Sequence, residues 1–371
     1  MKIEQIDLYL ASMPLIRPFR TAFGTADSVE SIFIRMTSDG VVGWGEATPG
    51  VGPFYSPEWG AGAFQLARDW LAPRLVGAQF PTGQAVQERL AHVKDNFFAK
   101  AALDAAWWDL AARMADKPVW QMIGGVTDIV EVGEDIGLTD TVEELIDETA
   151  AALAAGSKRI KVKVIPGWDV KPIGALRRRF PDAVVHIDCN GAYSNTDRSV
   201  FEALDAFDLA MIEQPLARDD IVDHAALQAT LSTGLCLDES IVSVARARKA
   251  IDLAACRWIN IKCGRVGGLT PAIAIHEYCA SRNIPCWAGF MIESALGQAQ
   301  TLAMATLPNM KYPADAFPSR RFHAQDLCEP EIEFCGTSVI SAGLEPGFGR
   351  TPNTELLARQ TRAKATVRAT G

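Results

Sequence analysis

The chain has 371 residues, 49% hydrophobic and 22% charged, with a formal net charge of -9 at pH 7. Such a length buries a sizeable core, in two domains or in one large barrel with additions, and the acidic balance argues against a nucleic-acid or anionic-membrane surface. Charges interrupt the apolar start "MKIEQIDLYLASMPLIRPF" and no run of about 18 apolar residues follows, so neither a signal peptide nor a membrane span is expected and the protein is placed in the cytoplasm.

Residues 1–125 read as an α+β domain. "SIFIRMTSDGVVGWGEAT" alternates apolar residues around Asp39-Gly40, a strong hairpin turn, and the helix-forming "AKAALDAAWWDLAARM" follows, with Trp107 and Trp108 as core. Phe19, Phe23, Phe54 and Tyr55 stand on Gly- and Pro-bearing stretches that read as loops, either as buried staples or as apolar lining of a site.

From 126 to 320 strands and helices alternate. "VEVGEDIGL" is followed by the helix "TVEELIDETAAALAAG", which Gly156 stops. "RIKVKVIPGWD" then places Lys161 and Lys163 on one face of a strand, with Ile160, Val162 and Val164 on the other, before a Pro-Gly turn. On an exposed edge strand such lysines would only discourage aggregation. The next runs end abruptly in ionisable residues: "AVVHID" at Asp188, "LAMIE" at Glu213, "GLCLDE" at Asp238 and "WINIK" at Lys262, at intervals of 25, 25, 25 and 24 residues from Lys163. That spacing is one strand, one helix and two short loops. "IPCWAGFMIE" continues the series to Glu293, before the Ala-rich helix "ALGQAQTLAMATL". Residues 321–371 lose the alternation and read as barrel closure with a return to the first domain.

Apolar strands in repeated βα units fit an open doubly wound sheet or a (β/α)8 barrel. Only a barrel gathers the C-terminal ends of all its strands at one mouth, so the reading is a modified TIM barrel preceded by an α+β capping domain. The eight cysteines form no C-x-x-C pair and read as buried thiols of a reducing compartment.

A lone acid at a strand end is ordinarily solvated or a cap. Asp188, Glu213 and Asp238 on three consecutive strands would instead meet and repel unless a cation joined them, and their hard oxygens suit Mg²⁺, or Mn²⁺. Lys161 and Lys163 flank this row on one side and Lys262 on the other. A second ammonium two residues away, partial burial and a divalent cation all favour the neutral form of Lys163, so Lys161 is read as tuning it. The reaction class that follows is abstraction of a proton α to a carboxylate, through an enediolate. A Schiff-base aldolase using Lys262 leaves the carboxylates unexplained, and a metal-stabilised scaffold would make the lysines dispensable. His186, sharing the inward face of Asp188, reads as a buried histidine below the metal; Asn190 lines the site.

Together "PFRTAFGT", "GWGEA", "IKVKVIPGWDV", "HIDCNGAY", "IEQPL", "CLDESI", "NIKCGRVGG" and "MIESALGQA" resemble the enolase superfamily, muconate lactonising subgroup, and within it the o-succinylbenzoate synthase / N-succinylamino acid racemase family. The resemblance implies Asp188, Glu213 and Asp238 as metal ligands, Lys163 and Lys262 as the acid/base pair assisted by Lys161, a small carboxylate substrate and a homo-oligomer. It places the loops of Phe19, Phe23 and Tyr55 over the mouth, and Arg265 beside Lys262, where a permanent cation helps that lysine act as a base. Glu293, Phe290 and Met291 join the substrate surroundings. Gly289-Phe290 stands where relatives have two glycines, and Cys263 where proline is frequent; both are expected close to the substrate. The function implied is racemisation of N-acylamino acids together with o-succinylbenzoate synthase activity, the alternative being a dedicated synthase or another epimerase or cycloisomerase of the subgroup.

Overall fold

The hairpin written around Asp39-Gly40 forms because both turn residues take positive φ, 49° and 76°, which matches the twist of the strands it joins. In this computed structural model, which describes residues 1–21 and 24–369, the strands Gln5–Thr21, Gly24–Ser38 and Val41–Ala47 make an antiparallel sheet. The terminal strand Thr361–Arg368 pairs with its outer edge, opposite Gln5–Ala11. Phe19 therefore sits on a long β-arm, the outer part of the first hairpin, and not on a loop. The extended register Phe19↔Ala26 carries the pairing past an irregularity between Pro14 and Phe19.

The helix Phe97–Met114 is buried on nearly every side because it lies between this sheet and the rest of the molecule. It approaches the strand Val41–Ala47 closely at Gly43 and Gly45, where an added Cβ would fall 2.4 Å from Leu110 N and 2.2 Å from Ala102 O. Its other side is tied down by Trp108 Nε1, which donates to Thr270 Oγ1 at 2.9 Å, and by Asp104, which accepts from the Thr270 N–H at 3.0 Å.

Seven parallel strands follow in sheet order: Glu134–Ile136, Ile160–Lys163, Val185–Asp188, Ile212–Glu213, Leu235–Leu237, Trp258–Ile261 and Cys286–Ala288. The eighth position is taken by an irregular segment. Lys311 N donates to Cys286 O and Asp315 N to Ala288 O on one side, and Ala314 exchanges bonds with Glu131 O and Gly133 N on the other, which closes the ring. The connecting helices begin where the sequence supplies caps: Thr141 and Glu144 form a capping box, and Asp169 of the "PGWD" turn accepts from Val170 N.

Two expectations change. The strand ending "IPCWAGFMIE" stops at Ala288. There Gly289 turns away over Asn260, whose side-chain oxygen would stand 2.2 Å from a Cβ at that position. Of the eight cysteines seven are buried, but Cys335 is exposed, on the tight turn in which Cys335 N bonds to Val339 O. Among the described residues no helix is long and apolar enough to cross a membrane.

Candidate active site

Parallel register sets the row of charges. Lys163 pairs with Asp188 and Asp188 with Glu213 across adjacent strands, so their side chains leave neighbouring strand ends at one level. Lys163 Nζ donates to Asp188 Oδ2 at 2.6 Å, and Lys262 Nζ donates to Asp238 Oδ2 at 2.9 Å. Arg265 holds the other Asp238 oxygen, donates to Tyr55 Oη at 2.9 Å, and bonds the carbonyls of Ile241 and Asn260. Glu213 Oε1 accepts from Asn260 Nδ2 at 2.6 Å; Glu213 Oε2 is buried with no hydrogen-bond partner, 3.5 Å from His186 Nε2.

The electrostatics follow from burial. Burial raises the Asp188 carboxyl, and the Glu213 charge beside it raises it further. Glu213 is raised by burial too, while burial of Asp238 is outweighed by Arg265 and Lys262, which hold it low. Burial pushes the Lys163 and Lys262 ammonium groups down, but Asp188 and Asp238 pull each of them up on balance. The expected neutral Lys163 is therefore not what these contacts alone produce. The Lys161 charge does act downward on Lys163, behind the larger pull of Asp188 and Asp135. His186 is wholly buried, bonded to Tyr312 Oη at 3.1 Å, and kept neutral by burial and then by Arg159 and Lys161.

Among the described residues no three His, Cys, Asp or Glu side chains are gathered tightly enough to hold an ion as they stand. Each candidate ligand is turned to a cation or an amide. The donor set nevertheless fits a hard divalent cation: three buried carboxylates on consecutive strands, one with an oxygen left unpartnered among the described residues, and two paired there with flexible lysines or an arginine.

One cavity of about 360 Å³ opens onto Lys163 and Lys262 at the two ends of this row; Asp188, Glu213 and Asp238 lie behind them and do not line it. Lys161, Lys163, Lys262, Asn190, Tyr55, Phe19, Phe290 and Met291 all line it. Phe54 lines it as well and is 70% exposed, so it is no buried staple. Phe290 packs against Phe317 and Phe322, ring centroids 4.9 and 5.5 Å apart, and Phe322 meets Phe19 of the arm edge-on. Phe23 lies outside the described residues.

Arg265 stands beside Lys262 as expected, the two sharing Asp238 and the Tyr55 hydroxyl, although it does not line the cavity. Two of the expected residues stand elsewhere. Cys263 is buried against Met304 and does not line the cavity, because the short helix Cys263–Val266 turns its side chain inward. Glu293 is buried away from the cavity, beyond the true strand end, and its carboxyl is raised well above the usual range by burial and by Glu46.

The structure adds partners not singled out from the sequence. Asp135 and Asp315 line the cavity and both pair with Lys161. Asn190 Nδ2 donates to Glu239 Oε1 at 3.0 Å, and burial beside Asp238 pushes the Glu239 carboxyl up to about 8. Gln214 Oε1 accepts from the N–H groups of Asp238 and Ser240, fixing the turn that presents Asp238. Glu46 of the first domain accepts from Ser294 N and Gly297 N, at the start of the helix Ala295–Ala305. Asn260 and Arg159 were within reach of the alternation rule, each two residues before a lysine already marked.

Residues 5–124 match the mandelate racemase / muconate lactonizing enzyme N-terminal domain, and residues 144–356 match the enolase C-terminal domain-like family. The o-succinylbenzoate synthase of Geobacillus kaustophilus is 43% identical over 348 residues, 94% of this chain and 92% of that one. The N-succinylamino acid racemase of an Amycolatopsis species is 41% identical over 368 residues, 99% of this chain and 100% of that one. The crystal structure of an enolase superfamily member from Listeria innocua superposes with a TM-score of 0.96 at 34% identity, covering 99% of both chains. With both of its domains matched in order and its ring of strand-end charges intact, the chain belongs to the enolase superfamily and is an enzyme of that class.

Proposed function

We propose that this enzyme removes the α-proton of a carboxylate substrate and racemises N-acylamino acids, N-succinylamino acids among them, with o-succinylbenzoate synthase activity alongside. One observation carries the reading: Lys163 and Lys262 belong to the second and sixth strands of a closed ring of eight positions, across the ring from each other, and both open into the same cavity. A planar carbon held between them has an amine on each face, which is what inversion of a stereocentre needs.

Asp188, Glu213 and Asp238 would hold Mg²⁺. A divalent cation bound there would supply positive charge for the substrate carboxylate and would compete with the two ammonium groups for Asp188 and Asp238. With less of the pull from Asp188 and Asp238, burial of Lys163 and Lys262 would count for more, favouring the neutral amine that can accept a proton. Arg265 flanks Lys262 and opposes a second positive charge there, while the Tyr55 hydroxyl accepts a hydrogen bond from each of them. Lys161 remains an ammonium beneath the substrate. Phe19, Phe54, Phe290 and Met291 wall the cavity and exclude water from the carbanionic intermediate. The enzyme works in the cytoplasm on a free small molecule.

Dehydration to o-succinylbenzoate is the second reading, favoured by the 43% identical relative of that name. It needs only one lysine as acid and base, with the other as an electrostatic support. The test is kcat/KM of one purified preparation on both substrate classes, with α-proton exchange followed in deuterium oxide. Exchange of both enantiomers of an N-acylamino acid supports the racemase; dehydration with no exchange on the Lys262 face overturns it.

A further inference from the structure

Arg159, Lys161 and Lys163 stand on one face of their strand, and the acid that meets the first two comes from none of the regular strand ends. Asp315 occupies the irregular eighth position of the ring, its N–H bonded to Ala288 O at 2.9 Å. Its carboxylate is buried; one oxygen takes a hydrogen bond from Arg159 and the other from Lys161. Arg159 is wholly buried, and its other N–H groups go to the carbonyls of Pro313 and Glu134, so among the described residues Asp315 is the one carboxylate it pairs with.

Lys161 Nζ also pairs with Asp135 Oδ2 at 3.1 Å and lies 5.4 Å from the Trp287 ring centroid. An ammonium has three N–H donors. One is committed to Asp315, the ion pair with Asp135 holds the ammonium from a second side, and donor capacity remains for the cavity that Lys161 lines. Two carboxylates and two cations make this cluster neutral, so nothing within it drives Lys161 to release its proton or to swing away.

We infer that Asp315 is a positioning residue: backed by Arg159, it fixes the Lys161 ammonium at one place in the cavity wall as a standing positive charge for the substrate carboxylate. This assigns Lys161 a fixed electrostatic role and leaves proton transfer to Lys163 and Lys262. The clamp stands on the contacts above; the substrate it serves rests on the proposed function.

Two readouts test it. In a side-chain ¹⁵N spectrum of the metal-loaded enzyme, a slowly exchanging lysine ammonium signal, identified by its loss in Lys161→Ala, is expected in the wild type and absent in Asp315→Asn. Its persistence in Asp315→Asn at wild-type intensity overturns the clamp. In turnover, Asp315→Asn lowers kcat about 100-fold with KM within about 3-fold, as loss of an interaction made in the transition state does. In the Lys161→Ala background the same substitution adds less than about 3-fold, because the two residues act as one unit. A full loss repeated in that background, or a change confined to KM, overturns the positioning role. If Asp315→Asn does not fold because Arg159 is stranded, Arg159→Met/Asp315→Asn removes both charges, and the same signal loss and non-additivity are expected. A clamp signal that behaves as described in an enzyme with no turnover of either substrate class would overturn the functional reading and leave the positioning of Lys161 standing.

Discussion

Replacing Arg265 with Gln separates racemisation from dehydration. The guanidinium makes four contacts, to Asp238, Tyr55 Oη, Ile241 O and Asn260 O, all buried. A charge-assisted hydrogen bond of this kind contributes about 1.5–3 kcal/mol. Asp238 keeps Lys262, so the cost to folding stays near that figure and below the ~3–5 kcal/mol of a fully stranded buried charge. The functional effect comes through Lys262. With Arg265 gone, Lys262 loses the neighbouring cation that opposes its own charge; if that is worth about 1.4 kcal/mol, the neutral amine becomes about tenfold scarcer. Exchange of the enantiomer served by Lys262 should then fall about tenfold at neutral pH, while dehydration through Lys163 changes by less than about threefold. The sign of the pH effect follows: loss of a neighbouring cation raises the proton affinity of Lys262, so the deficit narrows as pH rises and its base-limb midpoint moves up by about one unit. Proton NMR in deuterium oxide on each separate enantiomer, between pH 6 and 10, measures this. Equal losses for both enantiomers and for dehydration, with an unshifted midpoint, would refute the reasoning.

Chelation with EDTA should abolish activity and Mg²⁺ or Mn²⁺ should restore it, since without a cation Asp188 and Asp238 retain the two lysines as ammonium ions; full turnover by verified metal-free protein would contradict this. Asp104 is wholly buried, and burial raises its carboxyl from 3.8 to about 6. The folded state then holds a proton that the unfolded chain releases earlier, so stability falls as pH rises from about 4 to 6, by about 3 kcal/mol, and is flat above. Urea unfolding across that range should show a decline steeper by about that amount in the wild type than in Asp104→Asn, since other buried carboxyls raised by burial decline in both; identical slopes in both would rule it out. Gly45→Ala places a Cβ 2.2 Å from Ala102 O and 2.4 Å from Ala106 N, both helix backbone, and should destabilise by about 3 kcal/mol or more. An unchanged melting temperature would show that the sheet and helix can part there without cost.

The regular part of the barrel was legible because each strand ends on an ionisable residue at a near-constant interval, and a period of two assigns its face. The Asp39-Gly40 hairpin and the helix stopped by Gly156 were legible because local chemistry alone decides them. Asp135 and Asp315 were not. Asp315 sits on a segment held by single bridges, with no apolar run to mark it as a strand, and Asp135 belongs to a strand of three residues that opens with two adjacent acids. Their importance is a property of the closed ring, which brings the first and eighth positions against Lys161. Glu46 likewise acts across 248 residues of sequence. Glu293 was placed at a strand end because strand length was read from apolar content, whereas its strand stops before Gly289; Cys263, set near the substrate by the resemblance, opens a helix directly after Lys262 that turns its side chain inward. The notion that Lys161 lowers Lys163 had the right sign but left out Asp188 and Asp135, which outweigh it.

The most direct test of the two-base account is α-proton exchange by Lys163→Ala and Lys262→Ala, each loaded with Mg²⁺ and given the separate enantiomers of one N-acylamino acid in deuterium oxide. Each variant should fail to racemise yet still exchange one enantiomer with retention, and the two variants should exchange opposite enantiomers. Racemisation by either variant, or exchange of the same enantiomer by both, would contradict the placement of one working lysine on each face of the substrate.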